Sequence, residues 1–150
     1  MQFTQSKINL FLFFKVPSAY ISGVRIKSIS ELECVATVTH TWINQNPFKS
    51  MYFAVQAMAA EVTTGALVLY HIKKVEHNIS MLILSNKGSF FKKATGKIFF
   101  KCVDGHKIEE TIKRAIETGK GQVCLMKSIG INQEGEQVSE FDFEWTVKVK

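Results

Sequence analysis

From Pro47 to Tyr70 the chain carries apolar side chains around most of the circumference of a helix, among them Phe48, Met51, Phe53, Val55, Met58, Val62 and Leu67. A helix lying on a protein surface confines such residues to one stripe, so this one has to be enclosed by other elements. It is neither long nor pure enough in apolar residues for a membrane span. Asn46 offers an N-cap and Pro47 suits a first helical turn, which predicts a helix beginning at Pro47.

The flanking segments are able to supply the wrapping. Val24 to Ile29 and Glu33 to Ile43 are rich in Val, Ile and Thr and read as two paired strands after Gly23. Ile79 to Leu84, Lys97 to Val103 and Gln122 to Ile131 are further strands, and Asn132 to Gly135 is a hairpin turn. In the last strand Phe141, Phe143, Trp145, Val147 and Val149 alternate with Asp142, Glu144, Thr146 and Lys148, the period of a sheet with one buried face. Lys107 to Glu117 is an amphipathic helix with Ile108, Ile112 and Ile116 on one stripe, ended by Gly119. Its pairs Glu109/Lys113, Glu110/Arg114 and Lys113/Glu117 form a solvated face. The pattern predicts an α+β protein, a mostly antiparallel sheet around one long helix, as a single domain over residues 1–150.

Several functions are excluded or disfavoured. Cys34, Cys102 and Cys124 are odd in number and have no CxxC spacing, so they give neither a disulfide framework nor a zinc site and fit a reducing cytoplasm. His40, His71, His77 and His106 form no metal-binding pattern, so no metal is expected. Ile8 to Phe14 is too short an apolar run, with Lys15 and Pro17 directly after it, for a signal peptide or a membrane span. A short docking helix is predicted there, packing Ile8, Leu10, Phe11 and Phe14 and stopping before Pro17. The net charge of +6 favours anionic partners. Lys87, Lys92, Lys93, Lys97 and Lys101 gather near Phe90 and Phe91, but the order of an RNA-binding strand motif is missing and no nucleic acid is expected.

Glu61 is the residue in the central helix that most needs a reason. A carboxylate held among apolar side chains has to find a partner or accept a raised pKa, and such acids are frequent in active sites. Ser50, Ala54, Ala57, Glu61 and Thr64 or Gly65 recur at helical spacing, so the carboxylate stands in a stripe of small residues. That stripe serves either close helix packing or the approach of a ligand.

The run Asn46-Pro47-Phe48-Lys49-Ser50-Met51-Tyr52-Phe53-Ala54-Val55-Gln56-Ala57-Met58-Ala59-Ala60-Glu61 resembles the hotdog-fold thioesterase superfamily. In that superfamily an Asn precedes the central helix, a His or Tyr stands at the helix start, and an acid follows nine residues later. The resemblance extends to Lys15-Val16-Pro17, Phe91-Lys92-Lys93-Ala94 and Phe143-Glu144-Trp145, and is nearest to a thioesterase-like branch with Ser-Met-Tyr-Phe at the helix start. It implies a hotdog fold with a short N-terminal helix and one extra helix between strands.

For function the resemblance implies hydrolysis of an acyl-CoA thioester. Glu61 would be the general base or nucleophile, Asn46 and Tyr52 would be catalytic, and the backbone N–H groups of Phe53 and Ala54 would polarise the carbonyl. Lys92 and Lys93 would contact coenzyme A, present as part of the substrate rather than as a cofactor. The assembly implied is a homodimer or a tetramer, with each site at the junction of two subunits. Tyr52-Phe53-Ala54 stands where many active relatives have His-Gly-Gly. The alternative is therefore a non-catalytic hotdog domain that binds an acyl or lipid-like ligand or a protein partner.

Overall fold

The alternation of the last strand makes it the spine of the sheet. In the computed structural model, which describes residues 4–150, β6 (Gln137–Val149) pairs on both sides, and its inward residues Phe141, Phe143, Trp145 and Val147 are all buried. Six strands follow the order β1-β2-β4-β5-β6-β3, every neighbouring pair antiparallel: β1 (Arg25–Ile29), β2 (Cys34–Thr39), β3 (Ile79–Phe90), β4 (Lys97–Cys102), β5 (Gln122–Ile131) and β6. Helix α3 (Phe53–Lys73) lies along the inner face and touches all six strands. Contrary to the sequence expectation, it is long and apolar enough to cross a membrane by length and composition, although 50% of that stretch is buried inside the protein. Here the strands cover that apolar surface: Ala59, Ala60, Leu67 and Val68 are fully buried. Two hydrogen bonds fasten the helix from inside, Thr63 Oγ1 to Ser128 Oγ (2.8 Å) and Trp145 Nε1 to Thr64 Oγ1 (2.9 Å).

The helix begins later than Pro47. Asn46 acts, but on a turn: its Oδ1 accepts from the N–H groups of Phe48 (2.9 Å) and Ser50 (3.3 Å), and its Nδ2 donates to Ser50 Oγ (3.1 Å). Such local side-chain bonds compete with helix formation. Lys49 adopts the left-handed conformation (φ 59°), and Gln45 and Met51 bridge as in a strand pair. Helical geometry therefore starts at Phe53, after an extended Tyr52 (φ −60°, ψ 134°).

The N-terminal helix α1 (Gln5–Lys15) is longer than expected, and Pro17 opens a second short helix, α2 (Pro17–Ile21), where a proline is tolerated at the first turn. The buried face of α1 is Ile8 and Leu12, while Leu10 and Phe14 are 58% and 67% exposed. The i,i+4 pair decides which face turns inward, and Leu10 and Phe14 lie on the opposite side. Asn9 holds α1 on the sheet, donating from Nδ2 to Ile26 O and accepting at Oδ1 from Ile26 N–H, both at 2.9 Å.

Two strands differ in length from the sequence reading. The second ends at Thr39, before a 3-10 turn at Trp42–Asn44 in which Asn44 Oδ1 accepts from Thr41 N–H (2.8 Å). The third continues to Phe90 through Ser85-Asn86-Lys87-Gly88-Ser89, polar residues suited to a sheet edge. Helix α4 (Gly105–Thr118) is held by buried Ile108 and Ile112 against α3 and the inner faces of β5 and β6, and Gly119 (φ 66°) ends it in the left-handed conformation.

Candidate active site

Glu61 lies in the third turn of α3, with its carboxylate reaching forward to Gly65, one turn later. A Cβ at Gly65 would come within 2.9 Å of Glu61 Oε1 and 3.3 Å of Trp145 Cζ2. The carboxylate forms one part of the wall of a cavity of about 230 Å³ between α1, α3 and the sheet. Ile8, Phe11 and Leu12 come from α1, Ile26 and Met81 from strands, and Leu69 from the next turns of α3. Among the described residues Glu61 is the only ionisable side chain on that wall, and its carboxylate has no ion pair or hydrogen bond with any of them. Burial alone pushes its pKa up from 4.5 to about 7.

Of the remaining candidate residues all but Ala54, which follows Phe53 in the first turn, line a second cleft of about 530 Å³ at the start of the same helix. Asn46, Tyr52, Phe53, Lys92 and Lys93 all line it. The Tyr52 carbonyl accepts the N–H groups of Val55 (3.0 Å) and Gln56 (3.3 Å), while those of Phe53 and Ala54, at the positive end of the helix dipole, have no partner among the described residues. Tyr52 is half exposed, its ring edge-on to that of Phe53 with centroids 5.0 Å apart. Asn46 uses both ends of its amide within the turn. Lys92 is paired with Glu136, and Lys93 donates to the carbonyl of Phe48 (3.4 Å).

One copy of the chain thus brings Asn46, Tyr52, Phe53, Lys92 and Lys93 together and holds Glu61 apart from them. Glu61 follows Phe53 by eight positions in α3, a rise of about 12 Å along the helix axis. Sequence reasoning did not find the contribution of α1 to the Glu61 cavity, nor Asn9. Gly65 and Trp145 were visible in pattern, one in the small-residue stripe and the other in the last strand, but their contact with the acid depends on how the strand crosses the helix.

No family model matches the sequence, and no curated protein does. Solved structures do. A Pseudomonas aeruginosa protein of unknown function, described as a probable thioesterase, is similar with a TM-score of 0.81 and 18% identity, over 98% of this chain and 97% of that one. A protein of unknown function from Chlorobaculum tepidum gives a TM-score of 0.83 at 13% identity over 97% of this chain and 94% of that one. A thioesterase from Haemophilus influenzae gives 0.73 at 15% identity, covering 99% and 93%. At these identities the likeness is one of fold. The antiparallel sheet curled around α3 that this chain shares with them over nearly its whole length is the hotdog fold, the architecture of these thioesterase-like proteins.

Proposed function

We propose that this protein is an acyl-CoA thioesterase acting as a homodimer, in which Glu61 of one copy and the start of α3 of the other form each active site. The observation that carries the reading is the unpartnered Glu61 carboxylate, its pKa pushed up to about 7, in the wall of an otherwise apolar cavity. A general base works best with a pKa near the operating pH. The fold shared with a probable thioesterase from Pseudomonas aeruginosa and a thioesterase from Haemophilus influenzae supports the same reading.

The need for two copies is geometric. A carbonyl bond is about 1.2 Å long, so a reacting carbon cannot lie against both Glu61 and the Phe53 N–H across about 12 Å of one helix. Strand β3 leaves a free sheet edge, and its outward Leu82 and Leu84 are 62% and 51% exposed. Pairing β3 with its symmetry mate covers that edge and brings two copies of α3 alongside each other.

In the reaction the Glu61 carboxylate takes a proton from water as the water oxygen attacks the thioester carbon. The carbonyl oxygen becomes an oxyanion held by the unpaired N–H groups of Phe53 and Ala54, with Tyr52 and Asn46 at the edge of that cleft. The C–S bond then breaks, and the departing sulfur takes the proton from Glu61, giving a carboxylic acid and free coenzyme A. Lys93, and Lys92 when released from Glu136, would meet the phosphates of coenzyme A.

The test is hydrolysis of an acyl-CoA panel by the wild type and Glu61→Gln. Loss of a general base should lower kcat about 10²- to 10⁴-fold. Equal activity of the two proteins removes the mechanism. The side chains of Phe53 and Ala54, where smaller residues would admit a carbonyl more freely, favour the second reading, a domain that binds an acyl group without hydrolysing it. That reading predicts ligand-dependent stabilisation and no turnover.

A further inference from the structure

We infer that the cavity beneath α1 is the acyl chamber of this site, that it takes an unbranched aliphatic chain of about eight carbons, and that α1 sets the limit. The inference rests on the thioesterase reading of Glu61. Apart from the Glu61 carboxylate, the chamber is walled by apolar side chains: Ile8, Phe11 and Leu12 on one side, Leu69, Ile26 and Met81 on the others. An apolar pocket with a single polar group orients a ligand by that group and takes the rest by burial. Here the polar group is the one assigned to the chemistry, so the thioester end belongs at Glu61 and the alkyl tail under α1.

Size gives the length. An apolar cavity of about 150 Å³ takes benzene, six heavy atoms, so about 230 Å³ on the same scale holds about nine, the number in an octanoyl group. The wall formed by α1 is fixed rather than adjustable, since both backbone groups of Ile26 are bonded to Asn9 and Ile8 and Leu12 are buried. A longer chain therefore meets packed side chains. Ala66 also lines the chamber, so a larger residue there shortens it, while removing the half-exposed ring of Phe11 lengthens it.

The experiment pairs a binding measurement with turnover. Calorimetry on Glu61→Gln protein with hexanoyl-, octanoyl- and tetradecanoyl-CoA is compared with Glu61→Gln carrying Ala66→Leu or Phe11→Ala, each checked for an unchanged melting transition. Octanoyl-CoA should bind more tightly than the tetradecanoyl ester. Ala66→Leu should weaken octanoyl-CoA at least tenfold relative to hexanoyl-CoA, and Phe11→Ala should move the preference to longer chains, by about tenfold per excess methylene accommodated. The kcat/KM of the corresponding variants with Glu61 intact should follow the same order. Absence of turnover with these binding shifts retained defeats the thioesterase reading and keeps the chamber. A chain-length preference that neither folded variant moves, or no binding of any acyl-CoA, overturns the chamber.

Discussion

Gly65 leaves empty the space beside the Glu61 carboxylate: a Cβ there would lie 2.9 Å from Glu61 Oε1. The missing side chain thus sets the rotamer of the acid one helical turn earlier. Gly65→Ala should improve helix propensity by up to about 1 kcal/mol, partly offset by the 3.3 Å contact to Trp145, because the other obstacle is the movable end of Glu61. The melting temperature should hold or rise while kcat/KM falls roughly 100-fold, the effect of displacing a reacting group by about 1 Å. A variant that loses stability and activity together would contradict this account of Gly65.

Glu61 also gives stability a pH dependence of unusual sign for a carboxylate. Its folded pKa of about 7 lies above the 4.5 of the unfolded chain, so the unfolded state ionises first. Below pH 4.5 the group is protonated in both states and costs nothing. As pH rises to 7 the fold loses stability, up to roughly 3 kcal/mol, and above that the cost stays constant. Glu61→Gln should therefore be more stable than the wild type at pH 8 and equal to it at pH 4, as measured by urea unfolding at both values. The proposed general-base role of Glu61 needs its ionised form, so on that proposal kcat/KM should rise with pH through about 7 and then level.

Trp145 ties the last strand to the central helix through Nε1–H to Thr64 Oγ1, and Thr64 Oγ1 in turn donates to the carbonyl of Glu61 (2.9 Å). Trp145→Phe removes the first bond and part of a buried ring. A loss of about 2–3 kcal/mol is expected from the lost hydrogen bond and the cavity, read from denaturant midpoints.

Asn9 makes a local prediction. With Asn9→Ala the two bonds to Ile26 disappear, and α1 should open without the sheet unfolding. Hydrogen exchange should quicken in α1 and at Ile26, with β5 and β6 unchanged.

The architecture was largely legible in the residues, because its two strongest signals are periodic. Alternation from Phe141 to Val149 defines β6, and the all-round apolar stretch through Val55, Val62 and Leu67 demands enclosure. Boundaries failed where side chains act locally: Asn46 looks like a helix cap in sequence and caps a turn in the fold, since both roles use the same acceptor oxygen. Polar Ser85 to Ser89 hide a strand because an edge needs no apolar pattern. For the candidate site, Glu61 was recognisable by its chemistry in the wrong surroundings. The chamber over it was not, because α1 reaches it from more than forty residues away in the chain, which periodicity does not encode.

The central claim is that each active site takes its acid from one copy and its carbonyl-binding N–H groups from the other, and mixing two inactive variants tests it most directly. Phe53 is the first residue of α3, where proline is tolerated, and Tyr52 before it is already extended, so Phe53→Pro removes an N–H without breaking the helix. Glu61→Gln and Phe53→Pro homodimers, each inactive alone, are unfolded together and refolded, and acyl-CoA hydrolysis is measured. Random pairing makes half of the dimers mixed, each with one intact site of two, so about a quarter of wild-type activity should return. No recovery from a mixture shown to contain mixed dimers would contradict the shared site.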